Sequence, residues 1–495
     1  MIKKMNIKDT INIFALTDCH QEARKLCALF SEIIKFAPDK GQGTLICDGG
    51  DLFKGIYDRE LCVTSYLHLR EQLPEAKIVI ALGNNDFGFN NDNINFLKQT
   101  SARFNRANIH VLCANLQNTE TDTYPKWVDP YILLNINNKK VLITAFCINY
   151  IHLQKYNLRL INIKDAFLQI KDALKHIAPD AFIILNHALF PSSLELYQTA
   201  LDCGIKPDLI IGGHEHSPII PDIEKHIYYP LAFSRNALHF QLNITAAGKS
   251  LLLTEDIKPN SQKLNPLFLP DIESFENRAG LNVPVARSTL NLERSYSDPS
   301  ILGTFIADQM KIAAKADIAM ISTGYMTHAL RYEPNKVLTM YNIERAFSAL
   351  TPLQTIELNA AELKIVFNNA IRNRYIQISG NTRFLQCSQN ITLYCTKDEN
   401  RQGMITQILI NGEPLYNEDG KPLHPEDLYL CAIDPFIGSG EIGFDVMRSH
   451  SKETLLKNQQ LVRIKDLFIN AIKEAENKYA PGSSYPCFKL IDADI

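Results

Sequence analysis

Seven short apolar runs between Ile11 and Gly213 constrain this chain more than any other feature. They are Ile11–Asp18, Thr44–Asp51, Lys77–Gly83, Ile109–Asn115, Val141–Cys147, Ala181–His187 and Asp208–Gly213. Several are hydrophobic almost without interruption, the pattern of strands covered on both faces. Helical stretches at Gln21–Phe36 and Asp58–Gln72 lie between them. That alternation predicts an α/β layered domain.

A chain of 495 residues is too long for one core and implies roughly two to four domains. From Lys258 the periodicity fades and prolines recur at 259, 266 and 270, before Gly280 and Pro284. Residues 258–287 therefore read as an interdomain connection, with room for a short helix at Pro270–Asn277. It separates a first domain, 1–257, from a second, 288–495. Helices are expected in the second at Ile301–Ala314, Ile343–Ala349 and Ala361–Ile371. Strands are expected there at Ile318–Ser322, Thr355–Leu358, Ile405–Ile410 and Leu428–Ile433.

Composition narrows the function classes. With 46% hydrophobic and 21% charged residues the chain is an ordinary globular protein, not a disordered or fibrous one. Lysine and arginine number 51 against 54 acidic residues, so no basic footprint points to a nucleic-acid polymer. No apolar run approaches the roughly 18 residues that span a bilayer. The eleven cysteines are scattered without a CxxC pair, and most sit in apolar runs as small hydrophobes. A reducing compartment is the expectation. The N-terminus MIKKMNIKDT lacks the apolar core of a secretion signal, so a cytoplasmic protein is expected, with export by a non-Sec route as the alternative.

Polar residues gather where the apolar runs end. The first run leads into Asp18-Cys19-His20, the second into Gly49-Gly50-Asp51 and the third into Gly83-Asn84-Asn85-Asp86. Later come Asn186-His187 and Gly212-Gly213-His214-Glu215-His216. In open α/β sheets ligand groups collect at the carboxyl ends of the strands. Asp18, His20, Asp51, Asn84, His187, His214 and His216 are therefore candidate ligands. Carboxylate and imidazole suit Zn, Mn or Fe, and one bridging aspartate can hold two ions about 3.5–4 Å apart. Strand-like alternation is expected to point Asp18 and His20 at one ion and Cys19 away from it.

In this order, DxH, GDxxxG from Gly50 to Gly55, GN, NH and GHxH resemble the calcineurin-like metallophosphoesterases. Ala316–Ile321 with Ser322-Thr323-Gly324, Phe384-Leu385-Gln386 and Gly438–Phe444 are similar to segments of the 5′-nucleotidase C-terminal domain. The resemblance is thus to the 5′-nucleotidase/UDP-sugar hydrolase family. It implies a four-layer αββα metallophosphoesterase domain followed by a smaller α/β substrate domain. It also implies two divalent ions (Mn, Zn, Fe, Co or Mg) that activate water for in-line attack on phosphorus. One ion would be held by Asp18, His20, Asp51 and His216, the other by Asp51, Asn84, His187 and His214. Phe384 and Phe444 would sandwich a nucleoside base, with Gly324 beside them.

The pattern also departs from the family. Where the family has a catalytic His and its orienting Asp, this chain has Asn85 and Gly88. Asparagine cannot deliver a proton, help worth about 10²–10⁴-fold to a poor leaving group. Asn85, Asp86 and His214 are the candidate catalytic residues, and activity is expected to favour diester or pyrophosphate bonds. In the second domain Ser322 and Thr327 replace an Asn and the phosphate-clamping Arg, Arg331 being the nearest substitute. Ser348-Ala349-Leu350-Thr351 replaces the family's PFxN, and Thr323 and Tyr325 replace two glycines. The expected partner is a small nucleotide or phosphate ester, with neither polymer nor membrane, and monomer or homodimer is left open. The alternative is a catalytically weak, metal- and nucleotide-binding regulatory protein.

Overall fold

A computed structural model of the chain describes residues 9–492 except 21, 54–58, 88–90, 149–152, 217, 294, 296, 327–334, 348–350, 373–383, 401 and 441–442. Gly55, Gly88, Thr327, Arg331, Ser348, Ala349 and Leu350 lie outside the described residues. The chain divides into two compact units, Met1–Phe275 and Glu276–Ile495.

In the first unit β1 (Thr10–Leu16), β2 (Thr44–Asp48), β3 (Lys77–Ala81) and β4 (Ile109–Leu112) run parallel. A second sheet contains β5 (Tyr131–Ile136), β6 (Lys139–Cys147), β7 (Ala181–His187), β8 (Leu209–Gly213) and β9 (Ile227–Tyr228), in the order 9-8-7-6-5. The hairpin β10 (Ala237–Thr245) and β11 (Gly248–Ile257) then completes the first sheet, in the order 11-10-1-2-3-4. Ile13, Leu45 and Val79 of one sheet share a core with Ile143, Ile183 and Ile211 of the other, so the sheets lie face to face.

The alternate residues face outward onto helices. Phe14, Ile46 and Ile78 pack on α1 (Ala23–Phe36), α2 (Arg59–Gln72) and α3 (Asn91–Arg106). Leu142, Ile184 and Ile210 pack on α4 (Ile163–Ile177) and α5 (Phe190–Asp202). Every central strand is thereby covered on both sides, which is why these runs are apolar throughout. The result is the four-layer αββα arrangement that the resemblance implies.

Much of the stretch 258–287 is folded. Pro266 opens a 3₁₀ turn and Pro270 sits at the start of α6 (Leu269–Arg278). There proline's fixed φ and missing N–H are tolerated, so these prolines mark helix starts. Phe268 and Ile272 are buried in the first unit's core. Pro284–Arg287 pairs with Val337–Thr339 in the second unit.

That second unit is also layered. Its five-stranded sheet contains β12 (Ile318–Ser322), β13 (Gln354–Asn359), β14 (Leu385–Cys387), β15 (Leu428–Ile433) and β16 (Glu453–Thr454), in the order 14-12-15-13-16. One face, with Ala319, Ile321 and Ala432, covers α7 (Ile301–Ala314) and α9 (Ile464–Lys478). The other, with Met320, Ile356 and Ile433, covers α8 (Ala360–Ile371) and a four-stranded sheet that includes Ile391–Lys397 and Gly403–Ile410.

Candidate metal centre

The seven candidate ligands converge at the carboxyl ends of the first unit's parallel strands. β1 stops at Leu16 and β2 at Asp48, so Asp18, His20 and Asp51 lie in the loops beyond. Asp18 and His20 meet side chain to side chain while Cys19 turns away, but the backbone of Asp18 and His20 is not strand-like. Their φ angles are +51° and +47°, Asp51 has +57° and His214 +76°, all in the left-handed region. Non-glycine residues there cost of order 1–3 kcal/mol each, and such strain collects at functional sites. The loops are cross-tied to hold it. Asp18 N–H donates to the Gly50 carbonyl (2.8 Å) and His20 N–H to that of Asp51 (3.1 Å).

His20 Nε2 faces His216 Nε2 at 2.8 Å, Asp18 Oδ1 at 3.2 Å and Asp51 Oδ2 at 3.5 Å. Asp51 Oδ2 is also 3.2 Å from His187 Nε2. Asn84 Oδ1 lies 3.2 Å from that same nitrogen and 2.8 Å from His214 Nδ1. Two donor groups result, Asp18/His20/Asp51/His216 and Asp51/His187/His214, sharing Asp51.

These residues suit divalent cations. Two Nε2 atoms at 2.8 Å can share at most one proton, and His20 Nδ1 is buried with no hydrogen-bond partner among the described residues. Burial keeps the His20 and His214 imidazoles neutral, each lowered to about 4, so their lone pairs are available. Burial also works against charge on His187, but Asp51 outweighs it and lifts the group to about 10. A cation between the two would displace that proton. The supports around the ligands fix their orientation. The His187 ring nitrogen Nδ1 is 2.9 Å from the Gly49 carbonyl, leaving Nε2 to point inward. Asp18 accepts from Thr17 Oγ1 (2.7 Å) and from the His214 amide (2.9 Å).

The candidate catalytic residues are placed differently from one another. Asn85 donates to Asp51 twice, from its amide N–H to Oδ1 (2.7 Å) and from Nδ2 to Oδ2 (2.6 Å). Asp86 is buried and accepts from the backbone N–H groups of Gly83 (2.8 Å), Asp51 (3.0 Å) and Phe53 (2.8 Å). It is a brace between the β2 and β3 loops, with its acceptors committed to backbone. Burial and the nearby Asp51 push its carboxyl well above the usual range. His214 stands among the ligands.

The expected base sandwich is corrected. Phe384 is 1% exposed and Phe444 0%, and both belong to the second unit's core. Phe384 leans on Phe488 with ring centroids 6.4 Å apart. A ring enclosed by apolar neighbours has no free face for a base. Gly324 lies in a short turn after β12, its N–H donating to Ser322 Oγ (3.2 Å). Thr323 is buried, and the Tyr325 ring packs near Phe347, so these side chains turn inward.

Phe233 has no counterpart among the sequence candidates. Its ring lies 5.4 Å from that of His20 and 5.1 Å from that of His216, and its N–H donates to the Asp18 carbonyl (2.6 Å). It and Ser234 are both left-handed, at +65° and +49°. Leu231–Asn236 contains no glycine, so nothing in the sequence marks that backbone.

Comparison with known proteins gives the same division. Residues 11–218 match the family described as calcineurin-like phosphoesterase, and 279–449 match the 5′-nucleotidase C-terminal domain. No curated protein matches the chain in sequence. In structure it is similar to a 5′-nucleotidase precursor from Thermus thermophilus (TM-score 0.73, 16% identity, 97% of this chain and 99% of that one). It is also similar to a 5′-nucleotidase from Candida albicans (0.66, 13%, 94% and 98%). The sulfate thiohydrolase SoxB of Thermus thermophilus shares the fold as well (0.67, 13%, 94% and 82%).

Proposed function

We propose, from the premise that this chain belongs to the 5′-nucleotidase family and is a metal-dependent phosphoric ester hydrolase, that it cleaves a nucleotide or related small phosphate ester whose leaving group needs no protein acid. The reading rests on one observation. Asn85, at the family's catalytic His position, has its side-chain amide turned onto Asp51. An amide at that place orients the shared carboxylate and has no proton to give.

The chain's own groups divide the remaining work. Asp18, His20, Asp51 and His216 would hold one divalent ion, and Asp51, Asn84, His187 and His214 the other. Such ions lower the pKa of bound water and neutralise charge developing on phosphorus. The Gly49 carbonyl orients His187, and the Asp86 brace fixes the loops that carry Asp51 and Asn84. A nucleoside 5′-alkoxide leaves poorly without an acid, whereas phosphate or an aryl alcohol leaves readily. Diester and pyrophosphate bonds are therefore the favoured substrates. With a net charge of −3, affinity for phosphate comes from the ions and local donors.

Initial rates with Mn²⁺ on AMP, UDP-glucose and bis(p-nitrophenyl) phosphate test this, with Asp51→Ala as control. UDP-glucose and the aryl diester are expected to turn over faster than AMP. AMP leading by a wide margin overturns the preference. No Asp51-dependent turnover on any of them, with nucleotide still bound, favours a regulatory binding protein instead.

A further inference from the structure

The loop that brings Asp18 and His20 to the metal centre sends the side chain between them the other way. Cys19 is 1% exposed, buried in the core between the first sheet and its helices. Its Sγ lies 3.9 Å from Sγ of Cys62, in the first turn of α2. A disulfide needs about 2.05 Å, so closing the pair draws these sulfurs together by about 1.9 Å. We propose that Cys19 and Cys62 are a modification site, a thiol pair whose oxidation to a disulfide disables the metal centre.

The geometry couples the two events. Cys19 is bonded directly to two ligands held in left-handed backbone, whose N–H groups are pinned to Gly50 and Asp51. α2 is anchored by Tyr66, whose hydroxyl donates to the buried Asp48 at the end of β2. With α2 anchored, the contraction falls on the Asp18–His20 loop. Ligand positions tolerate only about 0.5 Å before a metal site loosens. The neighbouring Cys27 is engaged elsewhere, its thiol 3.0 Å from Ser65 Oγ.

The reaction is a two-electron oxidation by a small peroxide or diazene. The two S–H bonds break and one S–S bond forms. Two protons and two electrons pass to the oxidant, whose O–O bond breaks to give water or whose N=N becomes a hydrazine. A dithiol reverses it by exchange.

The test uses the full chain loaded with Mn²⁺ and treated with diamide. A non-reducing digest is expected to contain a Cys19–Cys62 linked peptide. Bound Mn²⁺ should fall at least tenfold, and dithiothreitol should restore both states. Cys62→Ala should keep its Mn²⁺ through the same treatment. Absence of the linked peptide after full oxidation overturns the proposal, as does equal metal loss from Cys62→Ala. The inference rests on the metal centre proposed above. A reduced wild type that binds no Mn²⁺ overturns both readings, whereas a cross-linked protein that retains Mn²⁺ overturns only this one.

Discussion

Phe233 shows how a residue outside the candidate ligand set can decide what a ligand does. Its ring fills the space beside His20 and His216, and its amide holds the Asp18 carbonyl. Outer-shell partners of this kind are typically worth about 10–100-fold in metal affinity. Phe233→Ala should weaken Mn²⁺ binding by that factor, read by calorimetric titration, while Phe233→Tyr should largely preserve it. Equal affinity in wild type and the alanine variant would remove Phe233 from the site. Asp48 makes a different prediction. Burial lifts its carboxyl to about 7 despite bonds from the Tyr66 hydroxyl and the Gly50 amide. A folded-state value above the unfolded 3.8 means the native state holds the proton more tightly. Stability from this group is therefore complete below about pH 4 and is lost as pH rises towards 7. The loss is on the order of 4 kcal/mol. Asp48→Asn keeps a neutral side chain that can bond both Gly50 and Tyr66. In EDTA, urea denaturation of wild type should weaken across that window more steeply than that of Asp48→Asn. Parallel slopes would refute a buried proton at Asp48.

At the scale of elements, close approach between loops positions the ligands more than any strand does. A Cβ on Gly213 would stand 2.5 Å from Thr17 Oγ1 and 2.7 Å from both the Gly49 carbonyl and His187 Nδ1. Gly213→Ala should thus cost about 1–3 kcal/mol in urea denaturation. It should also lower metal affinity, since the added methyl separates His187 from the carbonyl that orients it. Unchanged metal affinity would show that this bond does not aim the ring. Such proximities explain what was readable beforehand. Strands β7 and β12 match the expected bounds because layers cover both their faces and leave an unbroken apolar run. The β10–β11 hairpin is hard to read in the sequence for the opposite reason. In Ala237–Thr245 buried Phe240, Leu242 and Ile244 alternate with Gln241 and Asn243, and most of β11 is exposed. The ligand types were legible because their chemistry is carried by residue identity. Their left-handed backbone was not, because the tertiary ties among Gly50, Asp51 and the Asp18–His20 loop impose it. The burial of Phe384 and Phe444 is not legible, because a ring's sequence neighbours do not reveal whether its face is covered.

Across the whole chain, all seven candidate ligands lie between Asp18 and His216, within the first unit, and each unit has its own apolar core. A ligand that binds only the native state stabilises it by RT ln(1 + [L]/Kd), about 2.7 kcal/mol at a concentration of 100 Kd. That linkage should act on the first unit, which carries all of the candidate ligands. Hydrogen exchange of the full chain, in saturating Mn²⁺ and in EDTA, measures it segment by segment. Peptides from β2, β7 and β8 should exchange more slowly with metal, by up to about 100-fold where exchange requires unfolding of the unit. Peptides from β13 and Gly403–Ile410 of the second unit should exchange alike in both conditions. The largest change should fall in Asp18–His20 and Asp51–Phe53, because these loops carry the donor groups that would hold a cation. Slowing of equal size in both units would mean that metal also acts outside the Asp18–His216 cluster, and the assignment of both ions to the first unit would fail.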